Sequence, residues 1–393
     1  DTPDAQTVVI TLTAANSEFL NQVAAGFLGV INSDVAAENG ALADETAAEK
    51  DTSETWFLSH SVGSGPFVLA NYEPNAELRL KRNENYWRAK PAVPEVIFRQ
   101  VKDAVAQAQM LQSGEVDIAM QIDPETAKSL EGSDAVVERV PSYNFIYIAL
   151  SPGAKATPID MTPDVREAIS IAIDRTALID FTLGGDGRAL AAPIPLGFPG
   201  GDGHQVPEYN PDKAKEMLAA AGLEAGFTLQ TIYPDLNVYG VDFNLMMQKI
   251  QQDLAKVGIA LDLQPVPFAN WREIANGDHI PLTAVFFAPD FFGSSQYLDV
   301  FGMQDGSVWA KRAGGDKDPT LINPRAGELK AAALAAATPD EAEKLWFEAA
   351  EEMIKNRIII PMVSPDLILA YGPHVKGVRY SACCNLPLAE ISN

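Results

Sequence analysis

Helix-start signals alternate with β-branched runs along most of this chain, and the alternation limits the folds that it can adopt. Residues 162–164 supply a capping threonine, a proline at the first helical position and an acid in the first turn. Residues 210–212 repeat the pattern with asparagine, and Thr338 with Glu341 forms a capping box. The apolar spacing after each signal predicts an amphipathic helix that packs on a core.

Strand-like runs lie between the predicted helices. Their composition predicts strands at residues 6–13, 67–70, 77–81, 96–101, 116–120, 143–150, 259–264 and 358–363. Helical spacing is also found at residues 14–30, 104–113 and 245–257. The turn YEPN joins the second and third of these strands as a meander. The pattern as a whole predicts a mixed α/β fold with several sheets.

The charge balance excludes two classes of partner. The chain has 29 basic and 53 acidic residues, a net charge of −24. Such an excess repels phosphate backbones and anionic lipid headgroups, so nucleic acid is not expected as a partner. The most apolar stretches, such as RIIIPMV from Arg357 and AAALAAA from Ala331, are far shorter than the ~20 residues that a membrane-spanning helix needs.

The sequence carries no catalytic or metal-binding signature of the forms that spacing can reveal. GxSxG, HExxH and GxxxxGK[ST] are absent from it, and we predict no catalytic residues, no metal site and no cofactor. The histidines are scattered singly, at His60, His204, His279 and His374. His204 lies in a glycine-rich stretch and is expected to be a solvated loop residue. Adjacent Cys383 and Cys384 are compatible with a buried reduced pair or a strained ring disulfide.

Six segments are similar, in order, to segments of one known family. They are VGSGPFVL at 62–69, LRLKRNENYW at 78–87, SGEVDIA at 113–119, VREAISIAIDR at 165–175, YNPDKAKEMLAAAG at 209–222 and QQDLAKVGIAL at 251–261. Together they resemble the family 5 extracellular solute-binding proteins, the dipeptide- and oligopeptide-binding components of ABC importers. The same segments are also caps, turns and amphipathic helices, so they mark the fold and leave the ligand open.

The resemblance implies a fold and a function. The fold is α/β, a two-lobed periplasmic-binding-protein-like fold (type II or cluster C-like) with mixed sheets and flanking helices. Lobe I would comprise residues 1–152 and 364–393, and lobe II residues 153–363. The function would be capture of a peptide or peptide-like solute between the lobes by hinge closure, without catalysis, and its delivery to the transmembrane subunits of an ABC permease. The location would be periplasmic, or extracytoplasmic and membrane-anchored.

The resemblance also raises an expectation about the N-terminus. Family members carry about a hundred residues before the strand that residues 6–13 resemble. The chain is therefore expected to lack this N-terminal portion, either as a fragment or by natural loss, and any signal sequence is likewise expected to lie outside it.

Three other functions stay open. The solute could be an opine, a sugar or another non-peptide compound. Less favoured is a peptide hydrolase, which would need a nucleophile or metal assembled in space. A docking module that binds no ligand is the third.

Aromatic side chains near the predicted lobe junction are the candidate ligand contacts, because they offer a large surface at little ordering cost. Core packing is the competing interpretation for each of them. They are Tyr143, Phe145, Trp271, Phe291, Phe292 and Tyr297.

Asp290, in the stretch APDFFGSSQYL, is the candidate for a charged contact. The resemblance implies that this aspartate pairs with the free ammonium group of a peptide. The competing interpretation is a turn aspartate that caps its own loop.

Overall fold

The computed structural model describes residues 1–120, 122–277, 280–381 and 386–393. Contacts divide the chain into two units. The first comprises Asp1–Gln22 and Pro141–Leu367, and the second Val23–Val140 and Ile368–Asn393. The predicted lobes, 1–152 with 364–393 and 153–363, group the N-terminal residues differently, and the lobe division stays a prediction.

The elements follow the predicted alternation. The helices are α1 Phe19–Val23, α2 Ser33–Glu38, α3 Ala47–Lys50, α4 Glu54–Phe57, α5 Ala104–Gln112, α6 Pro124–Ser129, α7 Pro163–Ile171, α8 Arg175–Leu183, α9 Pro211–Ala220, α10 Phe243–Ala255, α11 Phe268–Gly277, α12 Ser295–Phe301, α13 Val308–Arg312, α14 Pro324–Leu334 and α15 Pro339–Asn356. The strands are β1 Phe67–Glu73, β2 Glu77–Arg82, β3 Glu95–Arg99, β4 Ile118–Ala119, β5 Val136–Pro141, β6 Phe145–Leu150, β7 Gly187–Ala189, β8 Phe227–Pro234, β9 Asn237–Val238, β10 Val241–Asp242, β11 Ile259–Val266, β12 Leu282–Phe287 and β13 Ile359–Tyr371.

The first unit is built around one mixed sheet with β6 near its centre. The strand order is β11-β8-β12-β6-β13, and β7 also pairs with β13. β11 and β12 run parallel to β8, whereas β12 and β13 run antiparallel to β6. All six residues of β6 are buried, because alternate side chains enter two apolar cores on opposite faces of the sheet. One core takes Ile146, Ile148 and Leu150, and the other takes Phe145, Tyr147 and Ala149.

The predicted helix starts are confirmed by their caps. Thr162 Oγ1 accepts a hydrogen bond from the amide of Val165 at 3.3 Å at the start of α7. Asn210 Oδ1 accepts from Lys213 at 2.9 Å before α9. Thr338 does the same for the first turn of α15. Each cap satisfies an amide that the helix itself leaves without a partner.

The second unit contains the predicted meander. β1, β2 and β3 form an antiparallel sheet in chain order. α5 then ends before Gly114, whose φ of 74° is the left-handed conformation that favours glycine at this position. β4 follows and pairs with the last residues of β13, Ala370 and Tyr371.

The predicted strand at residues 6–13 is wrong. The segment forms an isolated bridge between Asp4 and Thr7, and its side chains face solvent, with Val8 71% and Ile10 60% exposed. A β-branched run becomes a strand only when another strand pairs with it, and no described residue does so here. The helical pattern of residues 14–30 is likewise reduced to α1 and the 3₁₀ turn Gly26–Leu28.

The arginine that ends the VREAISIAIDR segment joins α7 to the sheet. Arg175 is buried, and its Nε donates to the carbonyl of Pro361 in β13 at 3.1 Å. Its Nη1 and Nη2 donate to the carbonyl and the hydroxyl of Ser170, each at 3.0 Å. Burial lowers the pKa of Arg175 to about 10, which leaves the guanidinium charged at neutral pH.

We expect Arg175→Ala to lower the free energy of unfolding by about 2–4 kcal/mol, because three buried acceptors lose a charged donor. Arg325→Ala, at an exposed ion pair, is the control and should change it by less than about 0.5 kcal/mol. Urea denaturation followed by circular dichroism measures both. Equal stability of the two variants would contradict the structural role of Arg175.

Candidate functional site

The register between β6 and β12 brings two segments with predicted site residues to the same end of the first unit's sheet. Phe287, the last residue of β12, lies opposite Phe145, the first residue of β6. Because the two strands are antiparallel, the loop that follows β12 starts beside the residues that precede β6. We call residues 288–294 the ligand loop. Phe292 of this loop accordingly lies near Tyr143, with the two ring centroids 6.4 Å apart.

Five rings form what we call the aromatic cluster. Centroid distances are 5.0 Å for Tyr143–Phe198, 4.6 Å for Phe198–Phe292, 5.3 Å for Phe198–Tyr297 and 6.3 Å for Phe145–Tyr297. Most pairs are tilted or edge-to-face, which are the favourable arrangements for aromatic rings. Four of the predicted aromatic contacts are thus assembled in one place, together with Phe198, which the sequence patterns did not single out.

The rings of the aromatic cluster differ in their exposure to solvent: some lie at the surface, and the others are buried beneath them. Phe292 is 45% exposed and Tyr143 is partly exposed, so a solute can reach both rings. Phe145 and Tyr297 are fully buried beneath them. Phe291 is partly exposed, and its carbonyl accepts from Gln296 Nε2 at 2.6 Å. Ligand contact stays a prediction for all five of these predicted residues.

Trp271 lies apart from the aromatic cluster. Its ring stacks on Phe268 at 5.6 Å, and its Nε1 donates to the buried hydroxyl of Thr283 at 2.8 Å. The Arg312 guanidinium lies 5.4 Å from the ring centroid. The side chain is buried, so the contacts seen for Trp271 are those of core packing.

Asp290 presents a carboxylate that lacks a partner within the described ranges. Its backbone amide donates to Gln296 Oε1 at 2.8 Å, but no described donor or cation pairs with the carboxylate itself. The residue is exposed as a whole, yet surrounding protein atoms bury part of the carboxyl and raise its pKa. Gln296 makes the loop-closing hydrogen bonds, with Nε2 donating to the carbonyl of Gly293 at 2.8 Å as well. The carboxylate is therefore available to a ligand cation.

A segment far away in the sequence holds the ligand loop. Glu18 is 7% exposed, and its carboxylate accepts from the amides of Ser294 at 2.7 Å and Ser295 at 3.1 Å. Asn21 Nδ2 donates to the carbonyl of Phe292 at 2.6 Å. Burial raises the pKa of Glu18, although these hydrogen bonds oppose the shift. No sequence signal pairs position 18 with position 294, so Glu18 could not be found from patterns.

Comparison with known proteins decides the family. The sequence profile described as bacterial extracellular solute-binding proteins, family 5 (middle), matches residues 1–308. The chain belongs to this family. Di/tripeptide-binding protein 3 of Pseudomonas aeruginosa (strain UCBPP-PA14) is 31% identical over 266 residues, which cover 66% of this chain and 49% of that protein. Glutathione-binding protein GsiB of Salmonella paratyphi A is 27% identical over 381 residues, which cover 95% and 70%.

Solved structures of periplasmic binding proteins share the fold. DppA of Helicobacter pylori, in complex with the peptide STSA, matches with a TM-score of 0.82 at 20% identity, covering 97% of this chain and 71% of that one. AgaA of A. tumefaciens R10, in complex with agropinic acid, gives 0.79 at 21%, covering 100% and 77%. The predicted two-lobed periplasmic-binding-protein-like α/β fold is confirmed. The chain spans only about half the length of the first Pseudomonas relative.

Family membership also confirms the non-enzymatic prediction, because family 5 proteins bind extracytoplasmic solutes rather than transform them. Across the described ranges, no helix is both long and apolar enough to cross a bilayer. The side chains that the structure describes assemble no metal-ligand group of three or more acids, histidines or cysteines. His279, Cys383 and Cys384 lie outside the described residues.

Two concavities lie elsewhere on the described part of the chain. One of about 550 Å³, in the first unit, is lined by Asp299, Ser307 and Lys330 among others. Another of about 520 Å³, in the second unit, runs along β3 and α5. The aromatic cluster lines neither. The interpretation of the aromatic cluster as the solute site therefore rests on Asp290 and on the exposed rings.

Removal of the Glu18 carboxylate should loosen the ligand loop. In Glu18→Ala we expect hydrogen exchange at the amides of Ser294 and Ser295 to quicken by about ten- to a hundredfold, since their acceptor is gone. Glu45→Ala, at an exposed position of the second unit, is the control. Unchanged exchange at both amides in Glu18→Ala, measured by mass spectrometry, would show that residue 18 does not hold the loop.

Proposed function

We propose that this chain binds a peptide or peptide-like solute outside the cytoplasmic membrane. The observation that carries the proposal is the Asp290 carboxylate, to which the described residues offer no partner and which lies two residues along the chain from the exposed Phe292. A carboxylate without a counter-charge among the described residues suits the free ammonium of a peptide. The names of the Pseudomonas, Salmonella and Helicobacter proteins support the same class of solute.

Binding would use the two features together. The ammonium group pairs with Asp290, and an apolar part of the solute lies against Phe292 and Tyr143. These rings make no directional demand on a side chain, so many peptides would fit. Asp290 must be ionised to hold a cation.

The remaining functional steps belong to the same proposal. Hinge closure between the predicted lobes 1–152 with 364–393 and 153–363 would enclose the solute. Release would then be to the transmembrane subunits of an ABC permease, in the periplasm or at the outer face of the membrane. Both steps rest on family membership.

A calorimetric panel tests the class of solute. The probes are the dipeptide Met-Leu, the tetrapeptide Ser-Thr-Ser-Ala, glutathione and agropinic acid. Binding of at least one of the three peptides, with agropinic acid weaker, supports the proposal. Binding of agropinic acid alone would favour the second candidate function, which is binding of a non-peptide solute such as an opine. The structural similarity to AgaA supports this second candidate. No heat from any probe would reject the proposal.

Asp290→Asn should weaken the binding of a free peptide at least about a hundredfold, because the ammonium that hinge closure encloses loses its counter-charge. Met-Leu and its N-acetyl derivative are titrated into the native chain and the variant. We expect the acetylated form to bind weakly to both. Asp305→Asn, at an exposed position away from the aromatic cluster, is the matched control. Equal affinity of the native chain for both forms of the dipeptide would exclude an ammonium site.

The proposed pairing of Asp290 with the ligand's ammonium group predicts that the binding affinity depends on pH. Burial raises the pKa of Asp290 above its ordinary value of 3.8. As the pH falls through that raised value, the carboxyl takes up a proton and can no longer pair with the ligand cation. Met-Leu affinity of the native chain should therefore fall on acidification. Asp290→Asn should lack this part of the pH profile.

Phe292→Ala should weaken Met-Leu binding by about tenfold, because an exposed ring at the site is lost. Its melting temperature should stay close to that of the native chain, since the ring is half outside the core. The control is Phe181→Ala, which removes a somewhat more exposed ring, 58% against 45%, from α8. If both variants bind like the native chain, the aromatic cluster is not the solute surface.

A further inference from the structure

A groove in the second unit lies along two strand edges. It is the concavity of about 520 Å³ that residues 93–101 and 116–120 line, and we call it the edge groove. Among the described strands, β3 pairs only with β2, and β4 pairs only with β13. Each of the two strands therefore has one edge without a neighbouring strand. Such an edge is a template for the addition of a further strand.

The register of β3 shows which of its backbone groups face this free edge. The amide of Gln100 donates to the carbonyl of Ala76 at 2.9 Å. Hydrogen-bonded pairs alternate along an antiparallel ladder, so the amides and carbonyls of Glu95, Ile97 and Arg99 point away from β2. All three residues line the edge groove. β3 therefore offers a row of donors and acceptors on its outer edge.

β4 has the same arrangement. The amide of Gly372 donates to the carbonyl of Asp117 at 3.0 Å, so the backbone of Ile118 points away from β13. Much of the remaining wall of the edge groove is apolar, with Met110 of α5 and Leu386 of the C-terminal region among its residues. An apolar strand fits this groove, because its backbone pairs with a strand edge while its side chains meet the apolar wall.

Residues 6–13 have the properties of such a strand. Their sequence, QTVVITLT, is β-branched and uncharged. The apolar side chains of Val8, Ile10 and Leu12 are exposed to solvent. Within the described residues, no hydrogen bond involves the backbone of these three residues. The segment therefore has unpaired backbone groups at every second residue, which is the spacing that a strand edge presents.

Charge selects the direction in which the segment would pair with β3. Asp4 precedes the segment and Lys102 follows β3, whereas Glu95 is the first residue of β3. Antiparallel pairing with Ile10 opposite Ile97 brings Asp4 next to Lys102. Parallel pairing would bring Asp4 to the end of β3 that starts with Glu95, where like charges repel. The antiparallel direction is therefore favoured.

We propose that residues 6–13 of one copy of this chain add to the edge groove of a second copy, as a strand antiparallel to β3. The second copy places its own segment in the groove of the first, so the exchange is reciprocal and closed. Ile10 lies opposite the partner subunit's Ile97 at the centre of each added strand. Solute binding plays no part in this pairing.

The exchange buries the area of an ordinary specific interface. β3 has five residues, so five residues of the segment pair with it. An extended chain exposes about 1.45 Å² per dalton, so five residues expose about 800 Å². With half of that surface covered in each of two grooves, and a similar area of the grooves covered in turn, about 1,600 Å² leaves the solvent, within the ~1,200–2,000 Å² of specific complexes.

Two proline variants test the pairing from its two sides. Ile10→Pro removes a backbone amide that makes no hydrogen bond within the described residues. Ile97→Pro removes an amide at the outer edge of β3, a position where a sheet tolerates proline. Neither substitution breaks a hydrogen bond that the described residues make within one copy. Val206→Pro, at an exposed loop position of the first unit, is the control.

Sedimentation velocity over a range of concentrations measures the dimer of the native chain and of each variant. We expect the native chain to dimerise, and Ile10→Pro and Ile97→Pro each to raise the dimer dissociation constant at least about tenfold, because each removes a backbone hydrogen bond from both grooves. Val206→Pro should dimerise like the native chain. Hydrogen exchange at the amides of Ile97 and Arg99 should be faster in Ile10→Pro than in the native chain, and a synthetic peptide of residues 6–13 should slow it again.

Weaker dimers of both proline variants, together with this exchange result, support the proposal. A native chain that is monomeric at every concentration overturns it, and so does a dimer that Ile10→Pro leaves intact. If the native chain is monomeric while Ile10→Pro still speeds exchange at Ile97, the segment occupies the groove of its own chain, and the proposal of a second copy is wrong.

Discussion

The burial of β6 on both faces is the constraint on which the first unit depends. Its six residues fill two cores, so its register against β12 and β13 is fixed, since a slip of one residue would exchange the contents of the cores. That register places the end of β12 beside the start of β6. The ligand loop and Tyr143 meet for this reason, and the candidate site is a consequence of strand pairing.

Local structure was largely predictable from the sequence, because its causes are local. The caps at Thr162, Asn210 and Thr338, the meander of β1–β3 and the glycine stop after α5 each depend on residues a few positions apart. The strand predicted at residues 6–13 failed because composition cannot supply a pairing partner. The same pattern of apolar residues forms a strand where a sheet offers a pairing partner, and it forms an exposed segment where no partner is present.

The site was predictable only in part. Resemblance to family 5 proteins led to the prediction of Asp290, whereas the aromatics were predicted from their position near the lobe junction. The structure brings four of the predicted rings together. Glu18 could not be predicted from the sequence, because its carboxylate contacts a segment far away in the chain and no motif surrounds it. His204 is not the solvated loop residue that the sequence predicts, since its side chain is 1% exposed and Nδ1 lies 2.7 Å from Glu351 Oε1. A single sequence does not reveal such hydrogen-bond partners.

The most direct measurement of the central claim is a crystal structure of residues 1–393 grown with Met-Leu. We predict density for the dipeptide with its ammonium within hydrogen-bond distance of the Asp290 carboxylate and a side chain against Phe292. Density for the dipeptide at another surface, such as the concavity along β3 and α5, with Asp290 left without a partner, would contradict the account.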